Sequence, residues 1–307
     1  MKNSASRSHS TRLKIGKYYT KDVLTAFVFL LPAFVVFGVF KYYPLVNNLL
    51  ISFTSWDFFG PKNPVGWSNY TKILESSIFI KVLKNTFHYA LWSTGLSLLL
   101  GLLLALLLHK HNSLMARGLK TLFFVPNITT ASAVAILWIW IFNPSNGLME
   151  IIYSFFGAKS PDWLLNAKYA RWAIVTLGVW RSMGYSMMIF ASGIAQINGE
   201  IYEAAKIDGA SELRQATNIT IPLLVPTIVF LGTTTFITAM QVFDVVQVMT
   251  TGNNGTSVIN LYIYQEAFAK NRAGRAAAAS MILFAILLVC TVIQRKIAAG
   301  RDTQYAE

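Results

Sequence analysis

The most informative segment of the chain is Glu203-Ala204-Ala205-Lys206-Ile207-Asp208-Gly209-Ala210, followed by Ile219-Thr220-Ile221-Pro222. It lies in a short polar segment between two long apolar runs, and the chain has four further runs of similar length. The six runs cover residues 23–40, 86–108, 122–142, 174–197, 219–243 and 276–293. A helix needs about 20 mostly apolar residues to cross a bilayer, so this pattern predicts an all-α integral membrane protein with six transmembrane helices.

The composition supports a membrane-embedded chain. Of the 307 residues, 54% are hydrophobic and only 13% are charged, which is too apolar for a soluble domain of this size. The net charge is +13, but the sequence contains no soluble basic domain, so nucleic acid is not an expected partner. Lys and Arg residues next to the membrane spans explain the positive charge better. Membrane lipid is expected to surround the spans.

The distribution of Lys and Arg predicts the orientation. With the N-terminus in the cytosol, the cytosolic segments carry 14 of these residues in 70 positions, and the external segments carry 11 in 108. Both termini are therefore expected in the cytosol of a multi-pass protein of the cytoplasmic (inner) membrane. We expect a basic tail over 1–22, a first helix with an external loop over 23–85, a core over 86–297 and a second tail over 298–307. The first span lacks a small-residue cleavage site and is expected to be a retained anchor.

No motif for catalysis or for a cofactor is present in the sequence. There is no Walker A pattern, no G-x-S-x-G and no H-E-x-x-H. His109 and His111 are too few to form a metal site, and the single Cys290 excludes a disulfide within the chain. The predicted spans contain no carboxylate, which argues against a membrane enzyme and against an ion-coupled carrier acting alone.

The polar segment 198–222 predicts two short helices. Asn198 is placed to cap a helix over 199–207, and Gly209 ends it because glycine readily adopts a left-handed conformation. Ser211 is placed to cap a second helix that runs to about residue 216. Tyr202, Ala205 and Gly209 recur at helical spacing and form a narrow face. This face fits the groove of a partner protein, although an ordinary interfacial helix-turn-helix has the same pattern.

The segment resembles the EAA loop of ABC importer permeases, on Glu203, Ala204, Ala205, Asp208, Gly209, Ala210, Ile219, Ile221 and Pro222. Residues 193–197, 201–202, 262–268 and 276–278, together with Trp56 and residues 66–70, are similar to the carbohydrate (maltose/oligosaccharide-type) branch. Two features depart from the pattern: Ala216 replaces a large aromatic residue, and Asn253 and Asn254 replace a Gly-Gly-Pro-like turn.

The resemblance implies a type I ABC importer permease that imports a carbohydrate, with an oligosaccharide favoured. It implies four partner subunits: a second, homologous permease, two ATPase subunits and an external solute-binding protein. ATP and Mg are expected on the ATPase subunits, and this chain is expected to bind no cofactor. The residues implied in ATPase coupling are Tyr202, Glu203, Ala204, Ala205, Asp208, Gly209, Ala210 and Pro222.

Arg181 is the one charge inside a predicted span. A charge at that depth costs about 2.5–3.5 kcal/mol on insertion scales, so it is expected to face a cavity, a carboxylate or an interface. Two alternatives remain open, contact with the substrate and pairing with Asp244. The anionic alternative is import of glycerol phosphate or another small anionic solute, since phosphate suits a guanidinium group.

The resemblance to maltose permeases places substrate contacts on three predicted spans. The matching positions are Asn127 and Ala131, then Gly178, Arg181 and Ser182, and finally Thr235, Ala239 and Val242. Gln241 and Asp244 lie nearby. The polar members predicted to bind substrate are Asn127, Arg181, Ser182, Thr235, Gln241 and Asp244.

Overall fold

The computed structural model describes the backbone of residues 14–15, 18–109 and 113–302, and the side chains of residues 23–109 and 113–296. Most of the predicted basic tail, Lys110, His111 and the last five residues of the C-terminal tail lie outside the described residues. The statements that follow concern the described part.

Helices dominate the chain. Their bounds are α1 Thr20–Phe37, α2 Tyr43–Ser52, α3 Ser68–Leu74, α4 Ser77–Leu108, α5 Leu114–Ile128, α6 Ala131–Ile141, α7 Leu148–Phe155, α8 Ala167–Ala195, α9 Gly199–Ile207, α10 Glu212–Gln215, α11 Ile221–Leu223, α12 Val225–Met240, α13 Asp244–Met249, α14 Ile259–Tyr264 and α15 Ala273–Asp302. Three π-helical segments join neighbouring helices, at Gly38–Tyr42, Ala216–Thr220 and Gln265–Ala269. Two antiparallel two-residue pairs complete the structure: β1 Lys14–Ile15 with β2 Tyr18–Tyr19, and β3 Thr54–Ser55 with β4 Asn63–Pro64.

Four helical segments are long and apolar enough to cross a membrane, by length and composition: Val23–Ser52, Ser77–Leu108, Ala167–Ala195 and Ala273–Lys296. Two further candidates are bent pairs. Helices α5 and α6 meet at 106°, and Glu212–Leu223 meets Val225–Met240 at 65°. The count reaches the predicted six if each bent pair is one span.

Several predicted boundaries were wrong. The first helical segment continues past residue 40 to Ser52, because the π-helical segment Gly38–Tyr42 carries it on. The second span begins at Ser77 rather than at residue 86, where the side chain of Ser76 caps it. The third predicted span breaks at Thr129 and Thr130, whose extended backbone ends the helix shortly after Pro126.

Small residues allow the helices to pack closely. A Cβ on Gly101 of α4 would lie 2.6 Å from the Cβ of Ser186 on α8, so these two helices touch backbone to backbone. A Cβ on Gly184 of α8 would collide with the carbonyl oxygen of Phe123 on α5. Small residues of this kind let membrane helices approach closely. Helix α8 thus packs closely against both α4 and α5.

The segment between α2 and α4 is fastened to the start of α15. Asn69 donates from Nδ2 to the carbonyl oxygens of Ser52 and Thr54, at 2.8 and 2.9 Å. Gly274 faces the Thr54 carbonyl so closely that no side chain fits there. Residues 198–222 precede the N-terminus of α12, whereas Asn260 of α14, which packs on α15, donates to the carbonyl oxygen of Gln241 at the C-terminus of α12. The two irregular regions therefore lie towards opposite ends of α12.

Candidate functional site

A cavity of about 470 Å³ lies where the bent helices meet α4 and α8. All six residues predicted to bind substrate line it: Asn127, Arg181, Ser182, Thr235, Gln241 and Asp244. Ala131, Gly178, Ala239 and Val242, which match the same positions of maltose permeases, line it as well. The fold thus brings together residues more than 100 positions apart in the sequence.

Helix breaks give the cavity its shape. The bend between α5 and α6 separates Asn127 from Ala131, so that one lies on each side of the break. Helix α12 ends at Met240, which places Gln241 at its C-cap, and α13 begins at Asp244. Irregular backbone at membrane depth is tolerated where it is buried in protein or lines a polar cavity. The helix breaks are therefore tolerated here because they lie beside a cavity with polar lining residues.

Arg181 faces this cavity without a strong partner. Its Nη2 donates to the carbonyl oxygen of Thr129 at 3.5 Å, and its buried Nε has no hydrogen-bond acceptor among the described residues. No ion pair joins Arg181 to Asp244 in the described part of the chain. A buried donor left without an acceptor costs about 1–3 kcal/mol. In this conformation the pairing alternative is not realised, and the guanidinium is free to meet a ligand acceptor.

Hydroxyl groups are the commonest of the other polar groups in the lining. Ser182 donates to the carbonyl oxygen of Gly178 at 2.6 Å, and Thr234 and Thr238 donate to carbonyl oxygens one turn earlier in α12, both at 2.9 Å. Each hydroxyl oxygen keeps acceptor capacity for a ligand. Gly178 packs directly against the hydroxyl of Tyr89, where a Cβ would not fit.

The prediction missed five polar residues of the cavity. They are Tyr89, Ser93, Tyr185, Thr234 and Thr238. Tyr89 and Ser93 are one helical turn apart on α4, as are Thr234 and Thr238 on α12, so their spacing was a usable signal. The sequence does not show how α4 packs against α8, and this packing turns Tyr89 and Ser93 towards the cavity.

The segment 198–222 forms the two capped helices that were predicted. Oδ1 of Asn198 accepts from the backbone N–H of Glu200 at 3.1 Å, and α9 then runs to Ile207. Gly209 ends the turn with φ +76°, and Oγ of Ser211 accepts from the N–H of Arg214 at 3.4 Å. Pro222 stands near the start of α11, where its missing N–H is tolerated.

The predicted face of this loop is partly exposed: Gly209 is exposed, whereas its other two residues are more covered. Tyr202 and Ala205 are half-buried, and the Tyr202 hydroxyl lies 2.9 Å from Oγ1 of Thr220 in the chain's own π-helical segment. The large apolar side chains that point outward are Ile207, which is 86% exposed, and Leu213, which is 76% exposed.

Similarity to known proteins identifies the family. Residues 97–301 match the family described as binding-protein-dependent transport system inner membrane component. The chain is 33% identical over 273 residues to the probable ABC transporter permease protein PH1215 of Pyrococcus horikoshii, covering 87% of this chain and 93% of the relative. It is also 30% identical over 288 residues to the arabinooligosaccharides transport system permease protein AraP of Bacillus subtilis, covering 92% and 91%.

A solved structure shares the architecture. A chain of a bacterial ABC transporter involved in the import of the acidic polysaccharide alginate superimposes with a TM-score of 0.78 and 25% identity, covering 91% of this chain and 96% of that one. The protein belongs to the family of binding-protein-dependent ABC importer permeases and has the type I permease fold. It is an integral membrane transporter subunit rather than an enzyme.

Proposed function

We propose that this permease imports a carbohydrate, with an oligosaccharide as the favoured substrate. The observation that carries the proposal is the cavity, which gathers amides, hydroxyls, one guanidinium and one carboxylate around about 470 Å³. Such a lining suits a ligand with many hydroxyl groups, because each hydroxyl both donates and accepts. Relatives support it, since they include permeases named for arabinooligosaccharides, diacetylchitobiose and sulfoquinovosyl glycerol.

The proposed assembly contains a second, homologous permease, two ATPase subunits and an external solute-binding protein. Exposed Ile207 and Leu213 support docking of the 198–222 loop on an ATPase subunit. ATP and Mg belong to those subunits, and this chain binds no cofactor. The loop is then cytosolic in the cytoplasmic membrane, both termini lie on its side, and membrane lipid surrounds the outer helices.

The coupling residues Tyr202, Glu203, Ala204, Ala205, Asp208, Gly209, Ala210 and Pro222 transmit the ATPase movement in this proposal. Tyr202 links α9 to the π-helical segment Ala216–Thr220 through Thr220. This segment leads to the 65° bend at Leu224 and into α12, which carries Thr235 to the cavity. Differential binding of nucleotide to two arrangements of this connection is what couples hydrolysis to transport.

The test is uptake by the reconstituted complex. The permease is co-expressed with the ATPase, second permease and binding protein of the same gene cluster, purified, and placed in proteoliposomes. We expect uptake of a labelled oligosaccharide that requires both ATP and the binding protein and that persists after ion gradients are dissipated. Uptake that follows a proton or sodium gradient without ATP would instead show an ion-coupled carrier.

One observation favours the anionic alternative. The unpaired Nε of Arg181 in the cavity suits a phosphate or carboxylate group. A competition assay distinguishes the carbohydrate from the small anionic solute as substrate. Excess glycerol phosphate is expected to abolish uptake of the labelled oligosaccharide only if this anion uses the same route.

A further inference from the structure

Five aromatic rings form a continuous row that begins at the cavity. Phe243, which lines the cavity, lies 5.2 Å from Tyr264 between ring centroids, and Tyr264 lies 5.2 Å from Phe268. Phe268 stacks on Phe58 at 6.1 Å with an angle of 10° between the ring planes, and Phe58 lies 5.2 Å from Trp56. We call this set the aromatic row.

The row ends at a second recess. Trp56 lines a space of about 350 Å³ at the start of α15, together with Ser55, Ser68, Lys72 and Arg272. This recess lies at the end of the bundle opposite the 198–222 loop, which is the external end in the proposed orientation. The aromatic row therefore connects a polar recess at the outer end of the protein with the polar cavity inside it.

The rings are accessible along the middle of the row. Phe268 is 66% exposed, Tyr264 43% and Phe58 39%. Their neighbours on the other face of the same segment are buried: Glu266 is 2% exposed and accepts from Nζ of Lys270 at 2.6 Å, and Ala267 is buried beside it. The π-helical segment Gln265–Ala269 thus holds one face in the core and presents Phe268 outward.

A tight turn holds the outer part of the row. The carboxylate of Asp57 accepts from the backbone N–H groups of Phe59 and Gly60, at 3.1 and 2.7 Å. The N–H groups of Gly60 and Phe59 lower the pKa of Asp57 below its usual value. Phe58 adopts a left-handed conformation with φ +74°, which is unusual for a bulky residue. This conformation places its ring between Trp56 and Phe268.

We propose that the aromatic row is a binding path along which successive sugar units of an oligosaccharide pass from the outer recess to the cavity. The inference rests on the proposed carbohydrate function and adds an extended site to it. Aromatic rings offer large apolar faces that stack on the C–H faces of sugars while the sugar hydroxyls stay in water. A series of weak sites suits transport, since each must bind well enough to receive the substrate and weakly enough to release it.

The continuity of the row with two polar spaces favours a sugar chain over the two other occupants. A lipid-facing aromatic belt requires no connection to a polar cavity. A contact with the second permease requires no connection to the outer recess. A polar chain that moves between the two spaces requires both connections.

The test uses the complete complex with Phe268→Ala and Tyr264→Ala, separately and together. Uptake is measured for ladders of neutral and of uronate oligosaccharides, from disaccharide to hexasaccharide. We expect disaccharide uptake to remain within about twofold of wild type, whereas hexasaccharide uptake falls roughly fivefold for each ring removed, since an aromatic stack contributes about one kcal/mol. Phe268→Trp, which retains an aromatic face, is expected to restore the wild-type ratio of hexasaccharide to disaccharide uptake.

Phe59→Ala is the matched control. Phe59 is 88% exposed in the same turn but lies outside the aromatic row, and its loss is expected to leave uptake of every chain length unchanged. An equal loss for all lengths in Phe268→Ala, or a loss of assembled complex, would overturn the path and indicate a contact between permeases. An unchanged ratio of hexasaccharide to disaccharide uptake would also overturn it. If wild type imports no member of either ladder, the carbohydrate function itself fails.

Discussion

The 198–222 loop and the cavity are built in different ways. In the loop, the helix caps and the turn join residues close in sequence: Asn198 caps a helix that begins at the next residue, and Gly209 ends it. In the cavity, Tyr89, Asn127, Arg181 and Thr235 come from four different helices. Local contacts can be read from a short motif, whereas the cavity exists only once the helices have packed. Changes to the two regions are therefore expected to fail in different ways.

The largest effect is expected from Gly184→Ala, which tests whether close packing creates the cavity. A methyl group there would collide with the Phe123 carbonyl, which is backbone and cannot move aside. Overpacking typically costs about 1–3 kcal/mol, and we expect the variant to lose thermal stability and yield of assembled complex. Gly95→Ala is the control, because a Cβ at Gly95 of α4 meets nothing within 4 Å. Equal stability of the two variants would show that α5 does not need this contact.

The second effect concerns ligand recognition in the cavity. Arg181→Gln keeps donors but removes the charge, so transport is expected to fall roughly 10- to 150-fold, corresponding to a charge-assisted hydrogen bond. Assembly and ATPase stimulation by the binding protein should remain. Because no ion pair joins Arg181 to Asp244 in the described structure, Asp244→Asn in addition should not restore transport. Rescue by the double change would mean that the two residues pair in another conformation.

The third-largest effect is expected in the 198–222 loop. Gly209 has φ +76° and open space around its Cα, so the backbone conformation, rather than a steric contact within the chain, requires glycine here. Gly209→Val is expected to cost about 1–2 kcal/mol locally and to reduce transport while ATP hydrolysis continues. Gly209→Asn is the control, because asparagine tolerates the left-handed region. The measurement is the amount of substrate transported per ATP hydrolysed in each variant. A normal ratio in Gly209→Val would show that the turn can form without glycine.

The smallest effect is expected at the connection between the loop and α12. Tyr202→Phe removes one hydrogen bond to Thr220, worth about 0.5–1.5 kcal/mol. We expect nearly normal assembly and a modest drop in transport per ATP hydrolysed. Thr220→Val provides the second arm of a double-mutant cycle, and the two changes should be less than additive. Full additivity would remove this hydrogen bond from the coupling route.

The loop and the cavity also differ in how far they could be predicted from the sequence. The caps at Asn198 and Ser211 and the break at Gly209 were predicted because each depends on a few neighbouring residues. All six proposed substrate residues line the cavity. Four of them were proposed from the resemblance to maltose permeases, and Gln241 and Asp244 were added because they lie nearby in the sequence. The hydrogen bond between Tyr202 and Thr220 was not predicted, because it depends on where the π-helical segment returns to α9.

The membrane class, the number of apolar segments and the capped loop could be predicted from the sequence. These follow from composition, from the length of apolar runs and from hydrogen bonds between near neighbours, all of which are local properties. The folded structure was needed to show where the third and fifth segments bend, which side of α8 meets α4, and that Phe58 stacks on Phe268. Those features arise from contacts between residues far apart in the chain, because close packing at glycines such as Gly101 and Gly184 selects one arrangement of helices from many with the same hydrophobic pattern.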